Sequence, residues 1–243
     1  MSEEKRVKIM RLVFLILGIA LIIGFIIALI MTNRQPTYRT DTTDTTAPAD
    51  GLVRQAASYT YPNSEITSLL PEVEIDSSDA EATNSDLKNR YNQAIRTGNM
   101  QFTYQYSDGE KYLSLVAITN RIDPTTGYAY PTFETYTFEK ETGKLLTMGE
   151  LYQRFGKTAA EAASSFEQTM KEYYQQELES MYFTEEMCDY NCFLNLRGIN
   201  DYSSGIELYV ENDELKFYRG FQVFSKYLEE QFYRNEDFKF DFR

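Results

Sequence analysis

Residues 125–152 read "TTGYAYPTFETYTFEKETGKLLTMGELY", and the order of signals inside this stretch decides the fold. From Pro131 onward the side chains alternate. Phe133, Thr135 and Thr137 fall on one face of an extended strand and Glu134, Tyr136 and Phe138 on the other. Glu141-Thr142-Gly143-Lys144 ends that strand, with Gly143 where a left-handed backbone is expected. "MGELYQRFG", from Met148, then changes to helical spacing. The stretch is strand, turn and the start of a helix. Ahead of the strand, Gly127 and Pro131 bracket Tyr128 and Tyr130, which is the composition of a loop.

Working outward, "MQFTYQYSDGEKYLSLVAITNRI" (100–122) reads as two strands. Phe102, Tyr104 and Tyr106 alternate, and Asp108-Gly109 supplies the turn. Upstream, Ser78 to Thr97 has helical periodicity, with Leu87, Tyr91, Ala94 and Ile95 on one face and Asp79 or Ser78 as the cap. Downstream, Thr158 to Met181 is a long amphipathic helix burying Phe166, Met170, Tyr173, Tyr174 and Leu178. "GIELYVENDELKFY" (205–218) forms a second hairpin about Asn212-Asp213, and the aromatic tail from Phe221 adds a last piece of core. Strands and helices interleave without regular βαβ spacing. The expected fold is α+β, an antiparallel sheet with packed helices.

The N-terminal part obeys different rules. Residues 12–31, "LVFLILGIALIIGFIIALIM", carry no charge and at 1.5 Å per residue match a hydrocarbon core of about 30 Å. A cleaved signal has a shorter apolar run and a small-x-small site, so an uncleaved signal anchor is expected. Lys5, Arg6, Lys8 and Arg11 outnumber Arg34 and Arg39 across the span, which keeps the N-terminus cytoplasmic. The organisation expected is a cytoplasmic stub (1–11), one transmembrane helix (12–31), a Thr-, Asp- and Pro-rich disordered tether (32–57) and an extracytoplasmic α+β domain (58–243). The localisation that follows is the cell membrane, single-pass, with the C-terminal domain outside. The Thr-rich tether also has the composition of an O-glycosylated stalk.

Composition narrows the chemistry. The 243 residues carry a net charge of −13, which repels nucleic acid. There is no histidine, hence no imidazole base, hydrolytic triad of the usual kind or histidine zinc ligand. The two cysteines, Cys188 and Cys192, are too few for a thiolate zinc site and wrongly spaced for a C-x-x-C motif. No metal site and no cofactor are expected. Outside the membrane the two thiols would pair, closing a small loop because Asp189 and Asn191 disfavour helix interior; free thiols are the alternative. Glu134, Glu139 and Glu141 lie near the turns, and in so acidic a chain they read as a solvated face rather than a catalytic pair.

The order of motifs resembles the RsiV-type extracytoplasmic domain of Gram-positive bacteria. That domain is found at the C-terminus of some membrane-bound anti-sigma factors and before the catalytic module of certain peptidoglycan deacetylases. The resemblance runs from about Tyr61 to Phe242 and is carried by "LLPEVEID", a helix with Asn89, "YLSLVAI", the stretch at 125–152, and "LYVENDELKFYRGFQVFSKYLEE". Thr126, Gly127, Ala129, Pro131, Thr142, Gly143 and Lys144 agree with the family pattern, whereas Tyr128 and Tyr130 replace its second glycine and its histidine, and Glu139 its aspartate. The resemblance implies an envelope module, here without an anti-sigma or deacetylase domain. The expected function is a membrane-anchored binding or sensor module, not itself an enzyme, that recognises a protein or peptide ligand. A cationic protein would be steered by the acidic surface. The alternative is a glycan-binding or structural module serving a separate cell-wall enzyme, with peptidoglycan as its ligand. Tyr128, Tyr130 and Pro131 are the candidate ligand residues, because loops carry function more often than packed strands do.

Overall fold

Every residue from Leu113 to Ile118 is at most 3% exposed, so this strand is covered on both faces and the domain is built outward from it in two directions. A computed structural model of the chain describes residues 51–62, 67–98, 100–123, 125–126, 128–179, 184–224 and 238–243. In chain order its elements are β1 (Val53–Thr60), β2 (Thr67–Val73), α1 (Ser78–Thr97), β3 (Met100–Asp108), β4 (Tyr112–Ile122), β5 (Tyr128–Glu139), β6 (Lys144–Leu145), α2 (Met148–Phe155), α3 (Ala159–Glu179), α4 (Tyr190–Leu196), β7 (Ile206–Glu211), β8 (Glu214–Arg219), β9 (Val223–Phe224) and β10 (Lys239–Asp241). The fold is α+β with antiparallel sheets. The expected stub, transmembrane helix and most of the tether lie outside the described residues. Among the described residues no helix is long and apolar enough to cross a membrane.

The main sheet runs β3-β4-β5-β6, with β9 also on β5, and a second sheet runs β10-β8-β7. On one face of the main sheet Phe102, Leu113, Leu115, Ala117 and Phe138 pack with Leu87, Tyr91 and Ala94 of α1 and with Val53, Leu70 and Val73 of the β1–β2 hairpin. On the other face Val116, Ile118 and Phe133 meet Tyr209 and Tyr218 of the second sheet. Beyond that sheet, Leu208, Val210, Leu215 and Phe217 pack against Phe166 and Met170 of α3. Three apolar layers are thus stacked between α1 and α3. The second hairpin turns through Asn212 and Asp213, whose φ of 52° and 60° match a two-residue type I′ turn.

The sequence-based element boundaries hold for α1, β3, β4, α2 and the second hairpin. Two details differ. α1 is capped by Ser77, whose side chain accepts from the Ala80 N–H, because Asp79 is used elsewhere: its carboxylate accepts from the Leu145 N–H at 2.9 Å. β1 begins at Val53, so residues 53–57, expected as tether, are strand. Val53 is buried and pairs with Val73, whereas most of the remaining β1 side chains are exposed, which is why the composition alone resembled a tether.

The turn after β5 docks on α1. The Ser77 hydroxyl donates to the Gly143 carbonyl at 2.8 Å, and a Cβ on Gly143 would stand 2.7 Å from that of Ser77 while the backbone holds φ at +68°. Both conditions require glycine. Replacing Gly143 by Ala should therefore cost about 2 kcal/mol or more of stability. In α2, Gly149 has nothing within 4 Å of such a Cβ, and its replacement by Ala should be neutral or stabilising by about 0.5 kcal/mol. Thermal unfolding of the two variants checks this, and equal effects would contradict the docking role.

Candidate functional site

β5 starts where a loop was expected. Tyr128 and Tyr130 lie in the strand, paired in register with Phe224 of β9 and Arg121 of β4. The alternation that defines the strand extends back past Pro131, because β4 and β9 supply backbone partners on both sides there. Tyr130 is 40% exposed. Pro131 is buried within the strand, opposite Asn120 of β4.

Register decides what accompanies Tyr130. Residues opposite one another in an antiparallel pair share a face, so Arg121 stands beside Tyr130, Thr119 beside Thr132, and Ala117 beside Glu134. This is the face that α1 covers farther along, at Leu115 and Phe138. Here it is uncovered: Arg121, Tyr130 and Thr132 are exposed and Thr119 partly so. An aromatic ring, a guanidinium and two hydroxyls form an open platform.

The platform ends at a charged cluster where α1 meets β5. Arg90 lies between Asp86, one turn earlier on α1 and 2.7 Å away, and Glu134 of β5, with which it is also paired. The Tyr136 hydroxyl donates to Asp86 at 2.6 Å. Burial works to raise the Asp86 pKa, but the hydrogen bonds from Tyr136 and Arg90 overcome it and hold the carboxyl below its ordinary range. For Tyr136 burial comes first and the bond to Asp86 second, and together they push the phenol far up, so it remains a donor. Across the edge of β5, Glu207 of β7 is raised, first by burial and then by the charge of Glu134, against a hydrogen bond from the Thr135 side chain. Among the described residues the carboxylates do not converge as a metal-binding group.

The remaining singled-out residues lie elsewhere. Glu139 pairs with Arg154 and accepts from the Thr142 hydroxyl, a tie between β5 and α2, and Glu141 is exposed in the turn. Cys188 and Cys192 form a disulfide with Cα atoms 5.2 Å apart. Asp189 caps α4 by accepting from the Cys192 N–H at 2.8 Å, so the closed loop contains the first turn of a helix that Asn191 was expected to disfavour. The bridge holds α4 near Tyr174, whose hydroxyl donates to the Cys188 carbonyl. Asp86, Arg90 and Glu207 were missed. In the sequence they are ordinary charges on a helix and a strand, and only the tertiary register sets them around Glu134.

No protein-family model matches the chain, and no curated protein matches it either. The RsiV-type resemblance therefore rests on its motif order.

A carboxyl raised by folding costs stability as pH climbs from its ordinary pKa of 4.5 through the raised value. Glu207→Gln removes that cost. The variant should unfold at a higher temperature than the wild type near pH 7, and the difference should vanish near pH 4, as thermal melts at both pH values would show. A variant less stable at neutral pH would mean that ionised Glu207 stabilises the fold.

Proposed function

We propose that this chain is a single-pass membrane protein whose outer domain is a binding or sensor module of the RsiV type, recognising a protein or peptide ligand at the cell envelope. The observation that carries the reading is the uncovered platform of Tyr130, Arg121, Thr119 and Thr132 ending at the Asp86–Arg90–Glu134 cluster. Tyrosine and arginine are both residue types enriched at binding hot spots. With the net charge of −13 a cationic partner would be steered toward this surface. The anchor reading rests on residues 12–31, and the Cys188–Cys192 disulfide fits an oxidising exterior. The domain serves as a receptor rather than an enzyme. The second reading, a glycan-binding module, draws on the same ring, since an exposed aromatic face flanked by hydroxyls can also stack on a sugar.

Protease added to intact protoplasts should digest residues C-terminal to the span, and protection of that bulk would reverse the topology. The full chain in detergent should be retained on immobilised basic protein at about 0.05 M salt and released near 0.5 M, with little retention on peptidoglycan. Tyr130→Ser should weaken that retention while changing stability by no more than about 0.5 kcal/mol. Salt-insensitive retention on peptidoglycan would favour the glycan reading instead.

A further inference from the structure

The Cys188–Cys192 bridge ties the residue before the Asp189 cap to the third residue of α4. α4 has only seven residues, too few to hold together in water by its own hydrogen bonds, so its order comes from what pins it. The bridge pins its start, and Phe193 packs with Tyr174 in a small core that both cysteines share. So short a closed loop removes little freedom from the unfolded chain. Breaking it would therefore act on α4 and leave the layers around β4 standing.

The far end of α4 reaches the candidate site through the backbone. The carbonyl of Arg197, the C-cap, accepts from the Gln222 N–H at 2.9 Å. Gln222 is the residue before β9, and Val223 and Phe224 of β9 pair with Ala129 and Tyr128 of β5. Tyr130 of the platform comes next along that strand. A two-residue strand has little pairing of its own to rely on. Its entry is set at Gly220, whose backbone lies against the Pro131 carbonyl, and at Gln222 by the bond to α4. The disulfide and Tyr130 are thus the ends of one run of covalent and hydrogen-bonded links.

We infer that Cys188–Cys192 is a redox-sensitive clamp on the platform: the bridged form holds β9 on β5, and a dithiol reductant at the envelope releases α4 and β9 together. Cys188 is buried and Cys192 only partly so, hence a thiolate of the reductant attacks the Cys192 sulfur. The Cys188–Cys192 bond breaks, Cys188 leaves as a thiolate and takes a proton, and a mixed disulfide remains on Cys192. The second thiol of the reductant then attacks the reductant's own sulfur in that mixed disulfide, which frees Cys192 as a thiol and closes the reductant's disulfide. Two electrons and two protons pass from the dithiol to the cysteines. What the release does to a ligand rests on the proposed binding function; the release itself does not. By linkage, a ligand on the platform makes the bridge harder to reduce, while in the bridged chain α4 is held with or without it.

Hydrogen–deuterium exchange of the full chain in detergent, bridged and after treatment with dithiothreitol, reads the release without any ligand. Exchange is expected to quicken about tenfold or more in α4 and at Val223, Phe224, Tyr128 and Ala129, with residues 113–118 unchanged and the slow pattern restored on reoxidation. The C188S/C192S chain should show the fast pattern with no reductant. Q222P, which removes the linking N–H, should quicken β9, Tyr128 and Ala129 but leave α4 slow. Quickening confined to α4 would overturn the coupling. Quickening of β4 as well would make the bridge a support of the whole fold and overturn the clamp, as would a bridge that dithiothreitol leaves intact in the folded chain. Retention of both forms on immobilised basic protein completes the test: weaker retention after reduction is expected, and equal retention with β9 released would overturn control of the platform. Retention of neither form, with β9 released, would overturn the binding reading and leave the redox release standing.

Discussion

The burial of β4 on both faces is the constraint from which the rest of the domain follows. A strand read as "LSLVAI" has no polar side to turn to water, so each face must be covered by a separate layer. α1 and the β1–β2 hairpin supply one layer and the second sheet the other. The polar member of that run is satisfied in a way that locks the layers together. Ser114, fully buried, shares a hydrogen bond of 2.8 Å with Thr137 of β5 and accepts the Val210 N–H of β7 at 3.1 Å. Left without those partners, the hydroxyl would carry a desolvation cost of about 1–3 kcal/mol. The two sheets are thereby held in one register.

That register also makes the candidate site. β5 is carried by β4, and the part of its face that α1 does not reach is left as a platform, while the second sheet brings Glu207 to its edge. The platform is built from rigid strand positions rather than from a loop. A site of this kind presents its ring and charges without first ordering a mobile segment, which lowers the cost of binding. Arg90 and Asp86 are placed with equal firmness, because α1 is fixed at its N-terminus by Ser77 and Asp79 on the turn after β5.

Much of the architecture was legible because it is local. Alternation in Phe133 to Phe138, the Asn212-Asp213 turn and the helical spacing of Leu87, Tyr91 and Ala94 each point to one element without reference to the others. What was not legible is tertiary. Nothing around Tyr130 distinguishes a loop from a strand whose partners are far along the chain, and β9 lies almost a hundred residues away. The exposed β1 has the composition of a tether and is ordered through its pairing with β2. The charged cluster could not be read either, since Asp86 and Arg90 on α1 lie 44 residues or more from their partners Glu134 and Tyr136 on β5. Tyr130 was found on composition, and its neighbours only through register.

The account stands on the claim that the β5 segment around Tyr130 to Tyr136 is where a ligand is received. Hydrogen–deuterium exchange of the full chain in lipid nanodiscs, with and without a saturating basic peptide, tests it most directly. Slower exchange on binding should be confined to β5 between residues 130 and 136 and to the facing part of α1 about Arg90, with β1 and α4 unchanged. Protection located instead on α3 and α4, or no change anywhere at saturation, would contradict the account.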